Sequence, residues 1–290
     1  MGASGCGSRI PAPLYALGSI ASVQVGATVA RHLFAELGPT ATVFLRVAFG
    51  ALILLAIARP HWPVLAAIPW RAIILFGLVI AAMNLCFYQS IARIPLGIAV
   101  TIEFIGPLAV AIAGSRKPLD FAWAIMAALG VALLSLTGGT VSGLGILFAL
   151  GAGAGWATYI VVSQRVGRMV PGSDGLVFAL SIGGLALAPF GIAGAGTRLI
   201  DVRNLATGVL VAVLSSAIPF SLEYAALRRL SSRLFGILMS LEPAVGTAAG
   251  FVFLAQRLSL RELVAIVLVM VASGGATLTA PRPRPAPDVP

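Results

Sequence analysis

Two carboxylates stand where a chain rarely keeps charge. Glu103 sits in the middle of PLGIAVTIEFIGPLAV (95–110), and Glu242 in the middle of FGILMSLEPAVGTAAG (235–250). Both stretches otherwise have the composition of a lipid-soluble helix. A charge at the centre of a bilayer costs roughly 2.5–3.5 kcal/mol on insertion scales, so such residues face a polar cavity or a partner. A carboxylate there can receive an ammonium group or exchange a proton, which points to a pathway through a membrane. The plainer alternatives are a carboxylate bonded to a neighbouring hydroxyl for Glu103 and, because Pro243 follows, a helix cap or kink for Glu242.

Other polar residues interrupt the apolar spans. Arg46 could snorkel to the surface, or offer its guanidinium to a substrate carboxylate or to Glu103. Glu223 precedes Arg228 and Arg229, and an interfacial ion pair accounts for it cheaply. Gln24 is an intramembrane amide, suited to a helix–helix bond or a substrate contact. Asn84 and Tyr88 are four apart and share a helix face. Trp156, Tyr159 and Tyr224 could hold an ammonium by cation–π attraction or mark the membrane interface. His32 and His61 fall at expected loop positions, which argues against a histidine proton relay.

These residues need helices to carry them. The chain has 290 residues, 59% hydrophobic and 10% charged, against about 45–50% and about 25% in ordinary soluble domains. This is the composition of a polytopic membrane protein. The runs are continuously apolar, which excludes an alternating β-barrel pattern. The fold class expected is all-α, with spans near 13–30, 40–58, 72–91, 96–113 and 119–137, then 144–163, 175–195, 206–226, 234–254 and 260–279. Residues 1–10 read as a cytoplasmic tail with no cleavable signal. Residues 11–137 and 144–280 form two halves joined by 138–143. The Pro-rich end, 281–290, reads as a disordered, partly polyproline tail.

The net charge of +10 does not indicate nucleic acid, because the basic residues are scattered between apolar runs without a stripe or reader motif. They set topology instead: with the N-terminus inside, twelve fall on the cytoplasmic side and six outside, predicting both termini inside. Cys6 lies in the tail and Cys86 in a span, so no disulfide is expected between them. A shift of 136 places Tyr88 on Tyr224, Arg93 on Arg229 and Pro107 on Pro243, with Glu103 and Glu242 three residues out of step. Five spans per half make the second half an inverted copy, a common plan of secondary transporters with a midplane site. Gly151/Gly155 and Gly246/Gly250 have the spacing of close helix packing. Pro107, Pro189, Pro219 and Pro243 each free a backbone carbonyl, tolerable beside a cavity.

The run MNLCFYQSIARIPLGIAVTIEFIGPLAVAIAGSRKPLDF (83–121) resembles bacterial threonine/homoserine exporters, in the EamA-type branch of the drug/metabolite transporter superfamily. GAGAGWATYIVVSQR (151–165), AIPFSLEYAALRRL (217–230), FGILMSLEPAVGTAAGFVFL (235–254) and VQVGATVARHLF (23–34) are similar to the same proteins, and the resemblance covers about 13–279. It implies ten helices in two inverted five-helix repeats and export of small amino acids across a bacterial inner membrane by alternating access. It places Asn84, Tyr88, Trp156, Tyr159 and Tyr224 around a central cavity. Two positions depart from the family: Ala255-Gln256 replaces a common Gly-Glu pair, and Val25 replaces a common Trp.

No GxxxxGK[ST] loop supplies nucleotide energy and no HExxH or intramembrane histidine suggests an enzyme. The expectations are therefore no catalytic residues, no cofactor and no metal; a small amino-acid substrate; protons as the possible coupling ion; and membrane lipid as surroundings. Alternatives left open are efflux of another metabolite or drug, such as a purine or an aromatic compound, a facilitated uniporter and a channel. Monomer and homodimer are not distinguished.

Overall fold

The computed structural model describes residues 11–59, 69–113, 118–135, 142–170, 173–227, 230 and 232–279. Both predicted tails, most of the 138–143 connection, Cys6 and His61 lie outside them. Among the described residues all regular structure is helical. The helices are α1 (Ala12–Ala58), α2 (Trp70–Ile91), α3 (Leu96–Glu103), α4 (Ile105–Ala113), α5 (Pro118–Ser135), α6 (Gly143–Met169) and α7 (Asp174–Ala195). After a 3-10 turn at Gly196–Ile200 come α8 (Val202–Ala212), a π-turn (Val213–Ala217), α9 (Ile218–Leu227), α10 (Ser232–Met239), α11 (Glu242–Leu254) and α12 (Leu260–Thr279). Among the described residues seven helical segments are long and apolar enough to cross a membrane, and 96–110 and 118–134 are shorter apolar helices. Large apolar side chains such as Phe121, Leu147, Leu185 and Phe251 are exposed, as lipid-facing surfaces require.

The spans expected at 13–30 and 40–58 are not separated by a loop. Residues 31–37 keep their helical bonds despite Arg31, His32 and Glu36, and only Gly38 leaves helical geometry, at φ 72° and ψ 165°. Pro39 explains the place of the break: it disfavours helical geometry in the residue before it, and glycine tolerates the positive φ. His32 is accordingly on an exposed helical turn rather than a loop, its Nδ1 2.8 Å from the Thr28 carbonyl. The 47 residues of α1 would span about 70 Å if straight, so the kink divides it into two arms. These contact α7, α8, α9, α11 and the π-turn.

Three other expected spans are broken. Glu103 ends α3 and Ile105 begins α4; Ser240 and Leu241 separate α10 from α11; the π-turn separates α8 from α9. Small residues let the broken pieces approach closely. A Cβ on Gly97 would run into Thr247, and one on Gly106 into the Gly153 carbonyl. The two GxxxG pairs serve the packing expected of them: Gly151 and Gly155 lie against Cys86 and Met83, Gly246 and Gly250 against Val100 and Leu96. Cys86 is a free, half-buried thiol.

α11 ends on Ala255 at φ 51°, in the left-handed region that costs a non-glycine residue roughly 1–2 kcal/mol. The next residue, Gln256, accepts the Leu96 N–H at 3.0 Å and so caps α3. Ala255→Gly is expected to raise stability by about 1 kcal/mol. Gly106→Ala is expected to lower it by about 1–3 kcal/mol. Thermal unfolding of the detergent-purified protein checks both signs.

Candidate functional site

The broken helices converge on a cavity of about 470 Å³, within the size range of ligand sites. Among the described residues that line it, Arg46 is the one lysine or arginine and Glu103, Glu223 and Glu242 are the acids. Gln24, Asn84, Trp156 and Tyr159 also line it. Eight of the ten residues singled out in the sequence therefore meet in one place.

Each carboxylate has a different environment. Glu103, last residue of α3, has no hydrogen-bond partner among the described residues, and its half-buried side chain faces the cavity. Glu242 and Arg46 line the same cavity. Glu242 opens α11 and is 7% exposed; its Oε1 accepts from Gln24 Nε2 at 3.2 Å. The remaining acceptors of that pair, Gln24 Oε1 and Glu242 Oε2, are buried without a hydrogen bond. Glu223 accepts from Ser19 Oγ at 2.7 Å. Its expected partners, Arg228 and Arg229, lie outside the described residues; among those described, its partner is a hydroxyl 204 positions away in sequence. The reason is direction: the side chain points inward to α1.

Arg46 does not snorkel. Its Nη2 donates to the Ser215 carbonyl at 3.5 Å, and its guanidinium carbon lies 5.4 Å from the centre of the Tyr88 ring. Tyr88 was expected on the cavity wall but is fully buried behind Arg46, packed on Phe34 with ring centres 5.7 Å apart. It shares a face with Asn84, yet one turn further along α2 that face is covered by α1. Asn84 does line the cavity, its Nδ2 donating to the Ile80 carbonyl at 2.9 Å. Trp156 meets Phe104 edge to face at 5.4 Å, and Tyr159 packs on Phe76 at 5.3 Å. The Tyr224 side chain lies outside the described residues. Among the described residues no cluster of His, Cys, Asp and Glu could hold a metal.

Residues 143–277 match the EamA-like transporter family. The threonine/homoserine exporter RhtA of Escherichia coli strain K12 is 43% identical over 265 residues, covering 90% of this chain and 89% of the relative. The same-named protein of Salmonella typhimurium strain LT2 gives the same figures. The chain belongs to the EamA-like transporter family. Protein PecM of Dickeya dadantii is a more distant relative, 26% identical over 214 residues, 70% of this chain and 72% of that protein. A solved crystal structure among the matches shares the fold, with a TM-score of 0.59 at 21% identity over 94% of this chain and 98% of that one. EamA-like proteins are transporters, not enzymes, and with its apolar helices the chain is a multi-pass membrane protein.

Within this EamA-like fold, several wall residues escaped the sequence reading. Ser19, Ser215, Ser216, Ser273 and Thr277 bring hydroxyls, and Met83, Phe235 and Met239 an apolar side. Single hydroxyls are common in membrane helices and carry no signal alone. The Ser215-Ser216 pair, four and three residues before Pro219, was the legible exception.

The Gln24–Glu242 bond is buried and joins α1 to the N-terminus of α11. Gln24→Leu removes the donor and leaves a buried carboxylate unpartnered, at an expected loss of about 1–3 kcal/mol. Adding Glu242→Gln should recover part of that loss in a thermal-unfolding comparison of the single and double variants.

Proposed function

We propose that this protein exports small amino acids of the threonine and homoserine type across the bacterial inner membrane by alternating access. The observation that carries this reading is a cavity with opposite charges at hand in an apolar surround. A zwitterion needs both. Ser19 and Gln24 already engage Glu223 and Glu242, so Glu103 is the carboxylate left for the substrate ammonium, with Trp156 and Tyr159 as aromatic neighbours. Arg46 receives the substrate carboxylate, with Asn84 beside it. The 43% identity to a threonine/homoserine exporter over 90% of the chain supports the substrate class.

Counting both arms of α1 and both shorter apolar helices gives ten spans, arranged as two inverted halves, 11–137 and 144–280, with both termini cytoplasmic. The breaks support this plan: Phe104 and Ser240, which interrupt the fourth and ninth spans, are separated by 136 residues (240 − 104), the shift that aligns the halves in sequence. Bonds between the halves, such as Leu96 N–H to Gln256, would part when access alternates.

Proton coupling runs through Glu242. Its Oε2 and Gln24 Oε1 are two orphaned acceptors on side chains already joined by one hydrogen bond. One proton on Glu242 supplies the donor that pair lacks. A second reading, efflux of a larger aromatic metabolite, draws on the apolar wall of Phe104, Trp156, Phe235 and Met239.

Efflux of labelled threonine and homoserine from proteoliposomes, with and without a pH gradient, tests the proposal. The expected result is saturable efflux accelerated by the gradient and reduced at least about tenfold in Glu103→Gln, the scale of a lost charged contact. Efflux of aromatic compounds but of neither amino acid would contradict the substrate class. A wild-type rate and pH profile in Glu103→Gln would remove that residue from the mechanism.

A further inference from the structure

The apolar pattern of 206–226 would run as an unbroken helix, yet it contains a π-turn at Val213–Ala217. Pro219 explains its place. A proline inside a helix gives no N–H to the carbonyl four residues earlier, and its ring collides with that carbonyl. The carbonyl in question belongs to Ser215. Widening the helix by one residue relieves the collision: the Ile218 N–H bonds the Val213 carbonyl instead of that of Leu214. The Leu214 and Ser215 carbonyls thus lose their ordinary helical donors.

Both are claimed by α1, one from each arm. Ser22 Oγ donates to the Leu214 carbonyl at 2.7 Å, and Arg46 Nη2 to that of Ser215 at 3.5 Å. Glycines make room for the turn. A Cβ on Gly26 would run into Ser215 Oγ, and one on Gly50 would lie 3.2 Å from Ser216 Oγ. The π-turn is therefore wedged between residues 22–26 and 46–50 of α1. On another side the guanidinium meets the buried Tyr88 ring.

We infer that Pro219, through the π-turn, is a positioning residue for the substrate carboxylate. It turns the Ser215 carbonyl toward Arg46, and Tyr88 completes the clamp. This rests on the reading of Arg46 as the carboxylate's partner. The clamp is chemically apt because it is neutral. A guanidinium away from water needs a partner, but pairing with Glu103 would neutralise both charges that a zwitterion must find. A carbonyl and an aromatic face hold the cation without cancelling it. The contact occupies Nη2 alone, so the other guanidinium N–H groups are left for a carboxylate, which binds a guanidinium strongly.

The test is transport kinetics in proteoliposomes with Pro219→Ala, Tyr88→Leu, Tyr88→Phe and Arg46→Ala. Threoninol, which lacks the carboxylate, serves as competitor. Pro219→Ala and Tyr88→Leu are expected to raise the KM for threonine about tenfold with kcat within about twofold, and to leave inhibition by threoninol unchanged. Tyr88→Phe, which keeps the ring, should behave as wild type. A merely structural role would instead lower kcat or weaken both ligands alike, and that result overturns the inference. Should Pro219→Ala fail to fold, Ser22→Ala loosens the same turn, and an unchanged KM there overturns it. If Arg46→Ala raises KM while Pro219→Ala does not, only the positioning role falls. If Arg46→Ala leaves KM unchanged, the assignment of Arg46 falls and the inference with it.

Discussion

Everything in this molecule follows from one constraint: inside a bilayer there is no water to satisfy a polar group. A charge, an amide or a freed carbonyl must find its partner within the protein. Glu242 finds Gln24, Glu223 finds Ser19, and the Leu214 carbonyl finds Ser22. All three partners sit within a few residues on the first arm of α1. That arm is a polar spine in an otherwise apolar helix, and α9, α11 and the π-turn meet it there. The cavity is the space left where this pairing stops short, at Glu103 and Arg46.

The helix breaks belong to the same logic. An unbroken helix satisfies its own backbone and presents only side chains. Breaking one at Phe104, Ser240 and Val213 turns backbone groups and helix ends toward the centre, where a charged substrate can use them. Such breaks are tolerable only where neighbours come close. The glycine contacts at 97, 106 and 153 put backbone against backbone around the breaks. Stability and the site are thus built from the same small residues.

The two glutamates were legible because a charge in an apolar run has no cheap explanation, and the break beside Glu242 was announced by Pro243. Most of the apolar helices followed from hydrophobic runs read against charges and Pro/Gly breaks. What stayed hidden depended on long-range packing. Arg31, His32 and Glu36 read as a loop, yet helical bonding continues through them to Gly38. Glu223 accepts from a serine at the other end of the chain, a partner that no local spacing names. Asn84 and Tyr88 share a face, but periodicity gives a face and not a depth, so the tyrosine ended up as support for Arg46 rather than as wall. The effect of Pro219 was predictable in kind, a freed carbonyl, but its recipient was not.

The central claim is that a zwitterion lies between Glu103 and Arg46. An experimental structure of the protein with bound threonine tests it most directly. The account predicts density in the cavity with the ammonium against the Glu103 carboxylate and the carboxylate against the Arg46 guanidinium, still held by Ser215. Threonine seated elsewhere, or an empty cavity at concentrations that saturate transport, would contradict it.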